Sequence, residues 1–85
     1  MEWHKYIHVD PKIAFGKPIV VGTRIPVYMV LELLDAGFTP EQIIRDYYPT
    51  LTVEAIRACF RYATEVVKNE EIHHVDLKAP APAIG

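Results

Sequence analysis

The segment Gly37-Phe38-Thr39-Pro40-Glu41-Gln42-Ile43 stops one helix and starts the next with almost no chain between them. Gly37 suits the left-handed residue that ends a helix beginning with Pro26 near its first position and running to Ala36. Thr39 then stands as N-cap, with Pro40 at the first helical position and Gln42 at the third, the pattern of a capping box. Phe38, just before the cap, is placed to staple onto Ile43. A second boundary follows at Tyr48-Pro49-Thr50-Leu51-Thr52, where Pro49 blocks continuation, Thr52 caps a third helix and Leu51 staples onto Ile56. Two boundaries this tight force residues 26–68 into three short helices that turn back on one another.

The apolar spacing assigns inner faces to these helices. Val27, Val30, Leu31 and Leu34 form a stripe on the first. On the third, Ile56, Cys59, Phe60, Ala63 and Val67 recur three and four apart, which places Glu54, Arg57, Ala58, Arg61, Tyr62 and Glu65 outside. Upstream, Tyr6-Ile7-His8-Val9 and Pro18-Ile19-Val20-Val21 read as short strands, ended by Asp10-Pro11 and by Gly22. A lone hairpin is marginal in water, so these strands must pack on the helices or join strands of another chain. Past Lys68 the pattern dissolves into acids and histidines, then Ala79-Pro80-Ala81-Pro82-Ala83. The expected fold is a small, mostly α, α+β protein. It comprises an N-terminal β-hairpin and Gly-Thr-Arg corner over 1–25, a trihelical helix-turn-helix or winged-helix-like domain over 26–68, and a flexible acidic, Pro-rich tail over 69–85.

A chain of 85 residues, 51% of them hydrophobic, buries only about 60–65% of its unfolded surface as one domain, so a dimer or a partner complex is expected to add stability. Cys59 is the only cysteine, which rules out an internal disulfide and suits a reducing cytoplasm. No apolar run reaches membrane-spanning length and no signal-type run follows Met1-Glu2-Trp3-His4-Lys5. The net charge of −2 comes from the tail, because acids and bases balance over residues 1–68. Residues 3–31 hold Lys5, Lys12, Lys17 and Arg24 against Asp10 alone, a modest basic stretch.

A two-turn helix, a connection of about four residues and a longer third helix reproduce the layout of a helix-turn-helix, whose second member enters the major groove. That member carries Arg57 and Arg61 one turn apart on its exposed face, a like-charge pair that is slightly unfavourable without an anion or an acid opposite. DNA contact would then use Thr52 at the helix start, Arg57 and Arg61 on bases or phosphate, and Lys12, Lys17 and Arg24 on flanking backbone. The competing reading pairs Glu54 with Arg57 and Glu65 with Arg61 as ordinary solvated surface. Gly22-Thr23-Arg24, just before Pro26, is either an anion-binding nest or a structural corner; the corner reading has Gly22 supplying an unusual backbone angle and Arg24 locking the strand-to-helix crossing.

No enzyme chemistry is expected. The chain contains no serine, Cys59 falls on the buried stripe, and the carboxylates are scattered over helix surfaces. His73 and His74 are adjacent and far from His4 and His8, so no metal site and no cofactor are expected.

The positions Gly16, Lys17, Pro18, Gly22, Thr23, Arg24, Pro26 and Gly37, with the Tyr48-Pro49 to Leu51-Thr52 corner, resemble the domain of unknown function 433 (DUF433) family over roughly residues 7–63. Val21 stands where family sequences often have a basic residue. The resemblance implies an antitoxin-like protein of a type II toxin-antitoxin pair, a DNA-binding autoregulator that neutralises a PIN-like nuclease. Residues 69–85 are then the segment that wraps the toxin, their acids mimicking RNA phosphates. The competing class is an interaction or oligomerisation module that does not bind DNA.

Overall fold

The structure, a computed structural model, describes residues 2–74. A 3-10 turn at Trp3–Lys5 leads into strand β1 (Ile7–His8), which pairs antiparallel with β2 (Ile19–Val20) in the register Ile7 to Val20 and His8 to Ile19. Three helices follow: α1 (Val27–Asp35), α2 (Pro40–Asp46) and α3 (Val53–His74). The hairpin therefore pairs within the chain. It is held against the helices by Ile7, Ile19 and Val20, all buried, and by Trp3, whose ring meets Tyr62 of α3 edge-on at 5.0 Å.

Between β2 and α1 the chain turns at Gly22, which adopts φ +81°. A residue with a Cβ pays a conformational penalty there even though no atom lies within 4 Å of the site. Thr23 holds the turn: its amide donates to Val20 O at 3.0 Å, its hydroxyl donates to the same carbonyl at 2.7 Å, and Ile25 N donates to Thr23 Oγ1 at 3.0 Å. Val20 N then bonds Ile25 O at 3.0 Å, and Val27 N bonds Pro18 O at 2.9 Å. This return stretch lies along β2 and delivers the chain to α1. Arg24 is exposed and makes no hydrogen bond among the described residues, so the locking role expected of its guanidinium belongs to the Thr23 hydroxyl. A local hydroxyl reaches the turn's carbonyls over one or two bonds, which a long side chain does not.

Pro26 is the N-cap of α1 rather than its first residue. At the other end, Gly37 at φ +102° closes a Schellman motif, with Phe38 N bonding Leu33 O at 3.1 Å and Gly37 N bonding Leu34 O at 3.0 Å. The Thr39 capping box forms as expected, Gln42 N donating to Thr39 Oγ1 at 3.1 Å and Thr39 N to Gln42 Oε1 at 2.8 Å. Residues 47–52 link α2 to α3, a longer connection than the four or so residues expected. Within it Tyr48 N bonds Ile43 O at 2.8 Å and Leu51 N bonds Tyr48 O at 3.0 Å, and Thr52 caps α3 by accepting from Ala55 N at 3.1 Å.

The core gathers Val27 and Val30 from α1, Ile43 from α2, Leu51 from the linker, and Ala55, Ile56, Ala58 and Cys59 from α3. The inner face of α3 is therefore turned from the one the apolar spacing suggested. Ala58 is fully buried and Tyr62 packs against the core, whereas Phe60 and Val67 are 50% and 64% exposed. Small side chains at 55 and 58 let α3 approach its neighbours closely, and a phenyl ring on that face would hold them apart. Helix α3 also runs six residues past Lys68, to His74. The expected tail begins no earlier than 75, and 75–85 lie outside the described residues.

Candidate nucleic-acid interface

Rotating α3 so that Ala55, Ala58 and Cys59 face inward puts Arg57 at the centre of its outer face. Arg57, Phe60, Arg61 and Thr64, spaced three, four and seven apart, line a shallow notch of about 300 Å³. Lys68, seven residues after Arg61, continues the same exposed stripe. The Thr64 hydroxyl donates back to Phe60 O at 2.9 Å, which leaves its oxygen open as an acceptor at the notch wall.

The surface salt-bridge reading of this face does not hold in the structure. Among the described residues the close ion pairs are Glu2 with His4, His8 with Asp10, and Arg45 with Asp46. Among the described residues neither Arg57 nor Arg61 lies within 4.0 Å of a carboxylate. Two guanidiniums one turn apart with no acid between them repel mildly, and an anion placed over the notch relieves that repulsion. Arg45 and Asp46 behave in the opposite way: a bidentate pair at 2.9 Å raises the guanidinium pKa and lowers that of the carboxyl, chiefly through the hydrogen bonds they share. Phe60 adds an apolar face between two cations. That combination can stack on a base or cover a thymine methyl while the guanidiniums meet phosphate or base edges.

Of the six residues expected to touch DNA, the structure brings Arg57 and Arg61 together and does not bring the others to them. The Thr52 hydroxyl is engaged as the cap of the same helix. Lys17 sits with its Nζ 5.6 Å from the centre of the Tyr28 ring, on a separate apolar groove formed by the core-side flank of α3. Lys12 is on the loop after β1, where its amide bonds Asp10 Oδ1 at 2.9 Å. Arg24 projects from the Thr23 corner into solvent. Phe60 and Thr64 are the residues that sequence reasoning missed, and their spacing with Arg57 and Arg61 is the signal that a correctly phased helix would have exposed.

The rest of the surface offers little chemistry. Burial pushes the Cys59 thiol up to about 12, so it stays protonated and unreactive at neutral pH. Among the described residues no three His, Cys, Asp or Glu side chains converge on a metal-sized site, and no helix is long and apolar enough to cross a membrane.

The family model described as "Protein of unknown function (DUF433)" matches residues 7–63, which takes in both strands, α1, α2 and the notch up to Arg61. An uncharacterized protein, y4eO, from Sinorhizobium fredii (strain NBRC 101917 / NGR234) is 42% identical over 54 residues, 64% of this chain and 24% of that protein. The chain thus spans about a quarter of that relative's length. A DUF433 member protein from Anabaena variabilis has a crystal structure similar to this fold, with a TM-score of 0.66 at 24% identity, covering 79% of this chain and 65% of that one. At that identity the likeness is one of fold alone.

Proposed function

This chain belongs to the DUF433 family, and we propose that it acts as an antitoxin-like DNA-contacting regulator whose contact surface is the outer face of α3. The observation that carries this reading is the notch itself: two guanidiniums one turn apart, with no carboxylate within 4.0 Å among the described residues and the half-exposed Phe60 between them. A long third helix after a short second one supports a helix-turn-helix-like use of α3, with residues 47–52 as an extended turn. In this reading Arg57 and Arg61 contact phosphate or guanine edges, Phe60 covers a base, Lys68 extends the positive stripe, and Arg24 supplies a flanking phosphate contact. The protein works in the cytoplasm without a cofactor and with no catalytic role. Its partner, by family resemblance, is a PIN-like nuclease toxin bound by the chain beyond the DNA face, including residues 69–85.

A second reading, a pure interaction module, is favoured by one observation: an open apolar groove of about 600 Å³ runs between α1 and α3, walled by Tyr28, Leu31, Tyr62 and Val67. Fluorescence anisotropy separates the two. The protein is titrated onto a labelled duplex from its own upstream region and onto a scrambled duplex, at several salt concentrations, with and without Arg57→Ala and Arg61→Ala together. The DNA reading expects tighter binding to the native duplex and a salt slope reduced by about 1.8 in the double variant, since each lost phosphate contact removes about 0.9. Binding to neither duplex, or a slope unchanged by the double variant, sinks it.

A further inference from the structure

The connection after α2 sets two tyrosines side by side. Tyr47 N and Tyr48 N both donate to Ile43 O, at 2.9 and 2.8 Å, and Tyr48 O accepts from Leu51 N at 3.0 Å, which fixes both backbones. Their rings stand 6.5 Å apart between centres and are tilted by 52° to one another. Each is held from outside the pair: Phe38 meets Tyr47 edge-on at 5.2 Å, and the Tyr48 hydroxyl donates to Met29 Sδ at 4.0 Å.

With Met29, Glu32 and Leu33 of α1 the two tyrosines line a pocket of about 260 Å³. Tyr47 is 46% exposed and Met29 38%, so neither side chain is spent on the core. Glu32 is exposed as well, and among the described residues no basic group lies within 4.0 Å of its carboxylate. The lining therefore offers two aromatic rings, a polarisable thioether and one carboxylate, and no cation. The surrounding charge has the same sign. Residues 27–48 hold Glu32, Asp35, Glu41 and Asp46 against Arg45 alone, and Arg45 is already forked onto Asp46 at 2.9 Å.

We propose that this pocket binds the guanidinium of an arginine side chain presented by a partner protein. An aromatic face attracts a cation through its quadrupole, and a guanidinium is flat and weakly hydrated, so it leaves water for such a face more readily than an ammonium does. Its N–H groups form a fork that a carboxylate accepts in pairs while its plane lies on a ring. Tyr47 and Tyr48 supply the rings, Glu32 the acceptor, and Met29 and Leu33 an apolar wall for the methylenes of the stem. A neutral apolar side chain in the same place would take water from Glu32 without giving it a partner, and an acidic one would meet a like charge. Arginine seated against aromatic rings is also a common energetic anchor of protein interfaces. The pocket shares no residue with the notch on α3, and the inference does not depend on DNA contact.

Chemical-shift mapping by heteronuclear NMR on the full chain tests it, with the blocked tripeptide acetyl-Gly-Arg-Gly-amide as probe and its lysine and norleucine counterparts as controls. The arginine peptide is expected to move the amides of residues 29–33 and 47–48 and to saturate in the millimolar range, the affinity that a single side chain supplies. Glu32→Gln is expected to weaken it about 3-fold, as for one exposed ion pair, and Tyr47→Leu by about the same factor, as for one exposed cation–π contact. Tyr47→Phe keeps the ring and should keep the affinity. Both positions are exposed, and the spectrum of each variant shows directly that it is folded. The lysine peptide is expected to bind several-fold more weakly than the arginine peptide, and the norleucine peptide not at all. Equal binding of lysine and arginine overturns the assignment to a guanidinium. No saturable shift with arginine, shifts scattered over every acidic residue, or an affinity that both Glu32→Gln and Tyr47→Leu leave unchanged overturns the pocket itself.

Discussion

Replacing Phe15 with Asn is expected to make the isolated monomer more stable, against the usual rule that removing a large apolar side chain destabilises. The side chain is 98% exposed; the roughly 2% buried corresponds to a few Å² of apolar area, worth about 0.1 kcal/mol. Its backbone conformation at φ 57° costs about 1–2 kcal/mol for an ordinary residue, and Asn occupies that region more readily because its short polar side chain can hydrogen-bond locally. The net gain is about 1 kcal/mol, equivalent to roughly 4–8 °C in thermal midpoint for a domain of this size. Phe15→Val is the control, since branching at Cβ deepens the strain and should lower the midpoint by a similar amount. The assay is thermal unfolding by circular dichroism at about 1 µM, repeated at about 200 µM. Because the strain lies within one chain, the gain should be the same at both concentrations. A variant that melts several degrees below wild type at the lowest concentration refutes the reasoning, because the ring would then have to be packed within its own chain.

Further substitutions probe the rest of the architecture. Thr23→Val removes the hydroxyl bonds to Val20 O and Ile25 N and is expected to cost about 1–3 kcal/mol in urea unfolding, whereas Arg24→Ala should stay within about 0.5 kcal/mol. Ala58→Leu forces extra volume against a fully buried position and is expected to cost about 1–3 kcal/mol or more, while Phe60→Gln should cost about 1 kcal/mol; the reverse order would restore the phase the apolar spacing suggested. Cys59 keeps its proton in the fold up to about pH 12, whereas in the unfolded chain it loses it near pH 9. Its contribution to stability is therefore constant below about pH 9 and falls as pH rises from there towards 12, which urea melts across that range will show. At pH 8 iodoacetamide should modify Cys59 only in denaturant, as read by intact mass.

What was legible in the sequence follows the range of the forces involved. The Thr39 box, the Gly37 stop and the Thr52 cap depend on groups within four residues of one another, and each appears where the residue types place it. The phase of α3 depends on what lies opposite it, and Ala55 and Ala58 carry no weight in a pattern that counts large apolar residues. The same pattern drew Phe60 inward, although the ring stands beside Arg57 and Arg61. Arg57 and Arg61 were nameable from their spacing on one helix. Charge alone groups Lys12, Lys17 and Arg24 with them, and they ride on the hairpin and its loops, whose placement against α3 is set by tertiary packing. The left-handed backbone at Ala14 and Phe15 has no sequence signal, because neither residue favours it.

Helix α3 carries the notch and the apolar groove on opposite flanks, which makes them separable. Arg57 and Arg61 point away from the core, whereas Tyr62, Val66 and Val67 lie along the groove. Arg57→Ala with Arg61→Ala should therefore lower the salt slope of DNA binding by about 1.8, with the Lys68 and Arg24 contacts kept, and leave the groove face unchanged. A substitution on the groove, Val67→Glu, touches no residue of the notch and should leave that slope as it is apart from the added charge. Anisotropy across a range of salt concentrations measures both, and a slope that the double variant leaves unchanged would show that the notch does not meet phosphate.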